Sequence, residues 1–455
     1  MIVLEGLERK VPVSRRISDF VRSRPAATWL CAVTIAAFLI RFVVVCFAFR
    51  GIADPVNTHA EFGFEMGWTA RCIALGRGFS CPFQPMTGPT AIVPPIYPYL
   101  LAGVFKIFGL YTPMAAFVAL SINGLFSALT CVPVYGIARD ASGERLARWA
   151  ALGWAIYPFA VYFSAARVWD YALTSLLFAC AFWWAMRLHR TVSAYAWLFF
   201  GVLFGINALS NPSVVSILPF LLLIAVWRAR QIGMPAFRRA MVAFLGFVVT
   251  ILPWTIRNER VLHVAAPLRD GFWLEFYAGN IGDPTNSNSP TAHPASNPEE
   301  MALYERMGEP AYMAQKHTLS LESVREHKQL FVTATARRFL RYWTGYWSLS
   351  AAYLEHEPLD LPNVPFCTTL SLFMICGLAG WWRRDRQRLL PFLAVVILFP
   401  IPYYLTHASV DYRQPVEPEL AILITAGMLS VRDRATASDI AAVQIDSSDL
   451  DFVPS

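Results

Sequence analysis

Apolar residues occur in long blocks along this chain, and shorter polar segments separate the blocks. Many blocks approach the roughly 20 residues that a helix needs to cross the hydrocarbon core of a bilayer. We therefore predict an all-α polytopic bundle with about ten membrane spans. They are placed at residues 27–49, 113–137, 149–166, 171–188, 195–210, 213–228, 239–256, 364–382, 388–406 and 417–431.

The block at 95–109, "PIYPYLLAGVFKIFG", is shorter, begins with proline and contains Lys106. We interpret it as a juxtamembrane helix on the outer surface, because counting it as a span would move every later loop to the other side. With this choice the arginine-rich loops are all cytoplasmic, as the positive-inside rule expects. They are 138–148, 187–190, 228–239, 383–388 and the tail from Arg432.

Composition agrees with a membrane protein. The 455 residues are 56% hydrophobic and only 15% charged, whereas soluble domains carry about 25% charged residues. The net charge of +7 is accounted for by the basic loops, so we expect the lipid bilayer as a partner and no nucleic acid. No P-loop or dinucleotide fingerprint is evident, and no close Cys/His spacing indicates a metal site.

Five segments follow from this topology. They are a cytoplasmic segment at 1–26, a transmembrane module at 27–256 that includes a first outer loop at 50–112, a long outer loop at 257–363, C-terminal helices at 364–431, and a disordered cytoplasmic tail at 432–455. The first segment is too polar, and too long before its apolar run, for a cleaved signal peptide. Within the long loop, "KQLFVTATARRFLRYWTGYW" is typical either of a helix at the membrane interface or of one packed on the protein.

Polar and charged side chains collect at the outer ends of the predicted spans. Glu61 and Glu65 stand four residues apart in the first outer loop, so a helix would place both on one face. Alone, each such residue has a structural explanation: an arginine snorkels to headgroups, an aspartate caps a helix, and an Asn-Pro pair forms a turn. Together they predict an outer cleft for an anion and a hydroxyl group. The remaining members are Asp170, Asn211, Arg257, Asn258, His407, Asp411 and Arg413.

The first outer loop also holds the one pair of cysteines outside the predicted spans, Cys72 and Cys81. In an oxidising envelope compartment they would form a disulfide. The alternative is two unrelated thiols.

A family resemblance is carried by five segments in order. They are "FGFEMGWTARCIALGRGFSCPF" with "TGPTAIVPPIYPYLLAGVFKIFG", then "ARVWDYAL", "GINALSNPS", "LPWTIRNERVLH" with "PLRDGFWLEFYAGN", and "DYRQPVEPELAILITAG". Over roughly residues 25–432, the chain resembles the glycosyltransferase C superfamily, in particular the family 39-like bacterial relatives of protein O-mannosyltransferases and of the lipid A aminoarabinose transferase. The resemblance implies an inverting transfer of a sugar from a polyprenyl-phosphate carrier to a hydroxyl of a glycan, lipid or protein.

The resemblance also implies roles for individual residues. The family places an acidic residue of the first outer loop at the reacting centre; its usual Asp-Glu start is absent here, and the nearest matches are Glu61 and Glu65, of which we favour Glu65. A forked guanidinium suits the leaving lipid phosphate. Arg257 and Arg413 are the first candidates for that role, and Lys106 and Arg71 the second. The sugar or acceptor pocket is expected to include Asp170, Asn211, Tyr97, Asn258 and His407, with Asn211 where the family often has arginine. Dependence on a divalent metal is left open.

Two other functions compete with this one. A flippase or transporter of lipid-linked glycans would need polar groups near the bilayer midplane, but the spans hold little beyond Asn123, Asn207 and hydroxyl residues. A glycan polymerase or ligase with a pyrophosphate-linked donor would share the outer arginines. For a bacterial source we expect the inner membrane, with the site on the periplasmic side and both termini in the cytoplasm.

Overall fold

A computed structural model describes residues 25–53, 62–83, 87–281, 292–346, 348–356 and 360–449. Helices dominate this part of the chain. Those up to the long outer loop are α1 (Ala26–Ile52), α2 (Glu65–Ala74), α3 (Ile96–Phe108), α4 (Pro113–Leu129), α5 (Cys131–Ser142), α6 (Glu144–Ile156), α7 (Pro158–Ala165), α8 (Tyr171–Arg187), α9 (Ala194–Ser210), α10 (Leu218–Gln231) and α11 (Phe237–Leu262). The later ones are α12 (Phe272–Asn280), α13 (Pro298–Met307), α14 (Glu309–Glu326), α15 (Lys328–Thr344), α16 (Ala351–His356), α17 (Asp360–Arg384), α18 (Arg386–Leu398), α19 (Ile401–Leu405) and α20 (Glu417–Asp449).

Seven helical segments of the described chain are long and apolar enough to cross a membrane. They are Ala26–Ile52, Pro113–Ser142, Tyr171–Arg190, Pro212–Gln231, Phe237–Leu262, Leu361–Arg384 and Arg386–Leu405. The other three predicted spans are also helical: α6 with α7, α9, and the first part of α20. The prediction of an all-α polytopic bundle is confirmed, and the chain is an integral membrane protein. The segment predicted as a juxtamembrane helix forms α3, 13 residues long.

The break between α6 and α7 has a local cause. Pro158 has no N–H to donate to the carbonyl of Trp154, four residues earlier. The fully buried guanidinium of Arg41 in α1 supplies the missing donors: Nη2 lies 3.2 Å from Trp154 O, and Nη1 lies 2.9 Å from Ala155 O. Its Nε donates to Ser127 Oγ at 2.8 Å. Trp154 O also accepts the N–H of Tyr157 at 3.3 Å, and the buried arginine adds donors to the carbonyls at the helix break, where water is absent.

Two hydrophobic clusters organise the molecule. The larger one fills the space between the membrane helices and includes Trp154, Phe182 and Phe392. The second lies under the outer helices and joins α2 and α3 to α13 and α14 through residues such as Phe62 and Tyr304. Helices α2, α3 and α12 to α14 thus share this cluster with α1, α4 and α11 at one end of the bundle, and we call them, together with α15, the outer layer.

Candidate functional site

A cleft of about 400 Å³ lies where the outer layer meets the bundle. It is bordered by the start of α2, the loop before α3, the starts of α8 and α12, the end of α9, and the segment that joins α19 to α20. Its walls are Glu65, Met66, Ile92, Val93, Pro94, Trp169, Asp170, Tyr171, Ser210, Asn211, Pro212, Ser213, Pro267, Leu268, Arg269, Phe272, Glu275, Pro402, Tyr403, Thr406, His407 and Tyr412.

A tight turn directly before α2 determines the position of Glu65. Gly63 and Phe64 both have positive φ, +77° and +41°, and this left-handed turn is unfavourable for residues with a side chain. A Cβ on Gly63 would also lie 2.6 Å from the carbonyl oxygen of Val168, so the position requires glycine. The turn makes Glu65 the first residue of α2, where the helix dipole stabilises a negative charge.

The proton affinity of Glu65 is unusual. Burial, together with the nearby carboxylate of Glu275, raises the pKa of Glu65 to about 8. A hydrogen bond from its own backbone N–H and the charge of Arg269 oppose this rise. Its side chain is still 18% exposed, so a ligand in the cleft can reach this carboxyl group.

Glu275 in α12 behaves in the opposite way. Burial alone would raise its pKa, but the nearby side chains of His407, Arg269 and His293 together outweigh burial and lower it. Arg269 Nη2 lies 3.3 Å from Glu275 Oε1, and His407 Nδ1 lies 3.7 Å from Glu275 Oε2. The cleft therefore holds two carboxyl groups of different proton affinity, an arrangement typical of acid–base sites.

Arg269 is the one arginine or lysine among the cleft residues that the structure describes. Its side chain is 30% exposed, so one edge of the guanidinium is open to a ligand. Arg269 and Glu275 lie in the segment "PLRDGFWLEFYAGN", and neither was predicted for the site from the sequence. The signal that could have identified them is an arginine and a glutamate six positions apart, shortly after the outer end of the predicted span 239–256.

A polar group stands at the bundle side of the cleft. Asp170 Oδ2 accepts hydrogen bonds from Asn211 Nδ2 at 3.3 Å and from Thr174 Oγ1 at 3.1 Å. Its other oxygen, Oδ1, has no partner among the described residues although it is buried. Ser210 Oγ lies 2.9 Å from Thr174 Oγ1. Asp170 is one of the cleft residues, so this end of the cleft has a carboxyl group as a hydrogen-bond acceptor.

The wall opposite α2 contains His407. Its Nε2 lies 2.7 Å from the hydroxyl of Tyr412, whose ring stacks on Tyr403 with centroids 5.0 Å apart. The corner before His407 is held from outside the cleft: Arg338 in α15 donates to Leu405 O at 3.2 Å. The position of His407 thus depends on contacts with the outer helices.

Three residues predicted for the site lie in helices beside the cleft rather than in its walls: Arg257 and Asn258 in α11, and Tyr97 in α3. Arg257 donates to the carbonyl oxygens of Thr90 and Phe79, each at 2.6 Å. Asn258 Nδ2 donates to Ala266 O at 2.8 Å. Tyr97 is fully buried, and its hydroxyl accepts from Asn123 Nδ2 at 2.8 Å.

The remaining predicted cations are also away from the cleft. Arg413 is buried and forms a forked ion pair with Glu417, at 3.0 and 2.7 Å. Arg71 lies over the ring of Trp68, 5.6 Å from its centroid, and Lys106 is exposed on α3. Of the predicted site residues, the cleft brings together Glu65, Asp170, Asn211 and His407. Glu61 lies outside the described residues.

Cys72 in α2 and Cys81 in the following loop are joined by a disulfide. It ties the helix that carries Glu65 to the loop whose Phe79 carbonyl is bound by Arg257. In the part of the chain that the structure covers, no three His, Cys, Asp or Glu side chains are grouped to hold a metal ion.

Comparison with solved structures identifies the fold. The crystal structure of the Archaeoglobus fulgidus oligosaccharyltransferase in the apo form superposes with a TM-score of 0.51 at 15% identity, over 92% of this chain and 52% of that one. The same enzyme tethered to an acceptor peptide containing the NVT sequon gives 0.50 at 14% identity, over 89% and 50%. The fold is of the glycosyltransferase C type. The chain spans about half the length of this archaeal relative with the glycosyltransferase C fold.

Two further comparisons concern a family model and a second solved structure. Residues 92–254 match the family model described as dolichyl-phosphate-mannose-protein mannosyltransferase. ArnT from Cupriavidus metallidurans bound to undecaprenyl phosphate has a TM-score of 0.40 at 15% identity, over 92% of this chain and 80% of that one. No curated protein sequence matches the chain. The predicted resemblance to the glycosyltransferase C superfamily is confirmed for the fold, and the family model matches over residues 92–254.

Proposed function

We propose that this protein is a membrane-embedded glycosyltransferase that moves a sugar from a polyprenyl-phosphate carrier to a hydroxyl of a glycan, lipid or protein acceptor, with inversion at the anomeric carbon. One observation carries the proposal: a single cleft at the edge of the membrane bundle contains Glu65, with its raised pKa, and the guanidinium of Arg269. The glycosyltransferase C fold supports it. So does the family model, whose description names a dolichyl-phosphate sugar donor and whose match includes Asp170 and Asn211.

Glu65 acts as the base in this proposal. Its ionised carboxylate takes the proton of the acceptor hydroxyl as the oxygen attacks the anomeric carbon. The bond from that carbon to the phosphate oxygen breaks at the same time, and the electron pair stays on the phosphate. Attack from the side opposite the leaving phosphate inverts the anomeric configuration. Glu65 ends the step protonated and must lose that proton before the next turnover.

Arg269 binds the departing phosphate. Its fork can donate two parallel hydrogen bonds to phosphate oxygens, and Glu275 at 3.3 Å holds the guanidinium without covering all of it. Among the described cleft residues a single guanidinium faces three carboxyl groups, Glu65, Asp170 and Glu275. Such a cleft suits a monophosphate better than a pyrophosphate, which would bring additional negative charge.

The rest of the cleft matches the remaining parts of such a donor. Asp170 Oδ1, which has no partner among the described residues, can accept a hydrogen bond from a sugar hydroxyl. Apolar side chains provide contact for the first isoprene units of the carrier. They are Ile92, Val93, Leu268 and Phe272.

The proposed orientation places the cleft on the outer face of the membrane, periplasmic in a bacterial inner membrane, with both termini in the cytoplasm. Contacts among the basic loops support it. Arg187 binds Asp140 at 2.5 Å, and Arg145 binds Asp433 at 2.6 Å, so three of the arginine-rich segments meet at one end of the bundle. The positive-inside rule assigns that end to the cytoplasm.

The test uses purified protein in nanodiscs and a panel of polyprenyl-phosphate and polyprenyl-pyrophosphate sugars. We expect a monophosphate donor to release free polyprenyl phosphate with the wild type and with Glu322→Gln, a control at an exposed position of α14. Glu65→Gln should insert and purify normally but release none. Release from pyrophosphate donors alone would favour the polymerase or ligase function, and tight binding of a lipid-linked glycan without release would favour the flippase.

A further inference from the structure

We propose that His293, in the long outer loop, is a positioning residue that donates a hydrogen bond from Nε2–H to the carboxylate of Glu65. This inference rests on the proposed function, in which Glu65 is the base. Nothing in the sequence marks His293, because the loop stands more than two hundred positions from Glu65 in the chain.

The tautomer of His293 is fixed by the backbone. Its Nδ1 lies 3.1 Å from the backbone nitrogen of Ala295 and accepts that N–H. A neutral imidazole that accepts at Nδ1 carries its proton at Nε2. That Nε2 lies 3.8 Å from Glu65 Oε1, so the donor of the ring faces the carboxyl group.

The ring itself is firmly held. The backbone N–H groups of Ser296 and Asn297 both donate to the carbonyl oxygen of His293 at 3.0 Å. Phe83 packs edge-on against the imidazole with centroids 5.3 Å apart, and the ring of Tyr304 supports Phe83 at 5.1 Å. The His293 side chain is only 12% exposed. Its orientation toward Glu65 is therefore built into the packing.

His293 approaches Glu65 from outside the cleft, since it is not one of the cleft residues. The second carboxylate oxygen of Glu65 can then face the acceptor. The gap of 3.8 Å is longer than a formed hydrogen bond; a small rotation of the Glu65 side chain closes it when the carboxylate ionises. A hydrogen bond to the charged form stabilises that form.

Burial makes His293 a neutral donor. Burial lowers its pKa, against the attraction of Glu275 and Glu300 and with the repulsion of His407. Glu65 faces Glu275, which disfavours its ionised form, and Arg269, which favours it. His293 adds a contribution of the same sign as Arg269 without adding a charge that would compete for the phosphate.

The experiment compares two amide variants. The side-chain nitrogen of glutamine occupies the place of histidine Nε2, whereas that of asparagine corresponds to Nδ1. His293→Gln therefore keeps the donor, and His293→Asn removes it. The readout is the infrared band of the protonated Glu65 carboxyl group, identified by its loss in Glu65→Gln and followed against pH in nanodiscs.

We expect His293→Asn to shift the titration midpoint of this band upward by about one pH unit, and His293→Gln to keep it near the wild-type value. In turnover, the rising limb of the pH–rate profile of His293→Asn should move by the same amount, with KM for the donor unchanged. An unshifted midpoint in His293→Asn, or equal shifts in both variants, would overturn the inference. A shifted midpoint in a protein that turns over none of the donors would instead contradict the proposed function.

Discussion

Arg269 Nη2 lies 3.3 Å from Glu275 Oε1 in the cleft that also contains Glu65. This ion pair affects both the phosphate-binding guanidinium and the protonation of Glu65 in the proposed mechanism. Glu275 orients the guanidinium, and His407 and Arg269 favour the ionised form of Glu275; burial and the negative charge of Glu275 together raise the pKa of Glu65. The base and the phosphate-binding group of the proposed mechanism are therefore linked through one residue.

Removal of the cation should mainly affect the transition state. Arg269→Ala is expected to lower kcat/KM by about 10²–10³-fold, as when one preorganised charge-stabilising donor is lost. Arg269→Lys should recover part of the activity, because it keeps the charge but loses the fork. The control is Arg260→Lys, at an exposed position of α11. Steady-state kinetics with the active donor measure all three, and activity of Arg269→Ala within threefold of wild type would contradict the assignment.

The pH dependence follows from Glu65. Below its pKa of about 8 the carboxyl group is mostly protonated and cannot accept a proton. We therefore expect kcat/KM to rise with pH and to reach half its maximum near pH 8. In Glu275→Gln the repelling charge is gone, so the rising limb should move to lower pH, although total activity falls with the loss of the partner of Arg269. A rising limb that stays at the same pH or moves to higher pH would show that Glu275 does not raise the pKa of Glu65.

The corner that carries His407 can be displaced by a substitution that changes no polar side chain. A Cβ on Gly279 in α12 would overlap the carbonyl oxygen of Thr406, so Gly279→Ala must push this corner away from Glu275. A misplacement of about 1 Å costs up to about 10²-fold in rate. Gly103→Ala in α3 is the matched control, because nothing lies within 4 Å of its added Cβ. Normal turnover by Gly279→Ala, with Gly103→Ala equally active, would show that the corner has no part in catalysis.

Arg41 makes a prediction about stability alone. Arg41→Met leaves the carbonyl of Trp154 without the guanidinium at the break before Pro158, and should lower the thermal midpoint of the detergent-solubilised protein. Pro158→Ala restores an N–H four residues after Trp154, so Arg41→Met with Pro158→Ala should be more stable than Arg41→Met alone. Thermal unfolding of the four proteins completes a double-mutant cycle. Strictly additive effects would mean that Arg41 does not serve the helix break.

Much of the fold was predictable, because a membrane span can be recognised from its local composition alone. The apolar blocks marked the helices, and the arginine clusters marked loops that now meet through pairs such as Arg187 with Asp140. The helix break at Pro158 was not predicted within the span 149–166. A break in a membrane helix is tolerated only where a buried donor such as Arg41 binds the carbonyl groups that it exposes. That donor is more than one hundred positions away in the chain.

The site was harder to predict, because it is assembled from distant segments. Glu65, Asp170, Asn211 and His407 were singled out by their places at outer ends of spans. The same criterion could not separate Arg257, in the last turns of α11, from Arg269, in the loop that follows α11. Backbone carbonyls of Thr90 and Phe79 occupy the first, and only tertiary structure shows this.

Arg413 differs from Arg257 in this respect. It stands four residues before Glu417 and pairs with it at 2.7 Å. Such spacing is a known sequence signal for an ion pair, so the structural role of Arg413 could have been anticipated from the chain alone.

The most direct test of the account is the single-turnover rate of sugar transfer by Glu65→Gln, measured with saturating donor and acceptor and set beside wild type and Glu65→Asp. If Glu65 is the base, Glu65→Gln should lose at least about 10²-fold in rate, the usual contribution of a general base. Glu65→Asp should keep a larger fraction of the rate, and donor binding should be unchanged in both variants. A Glu65→Gln rate within a few-fold of wild type would show that another group removes the acceptor proton.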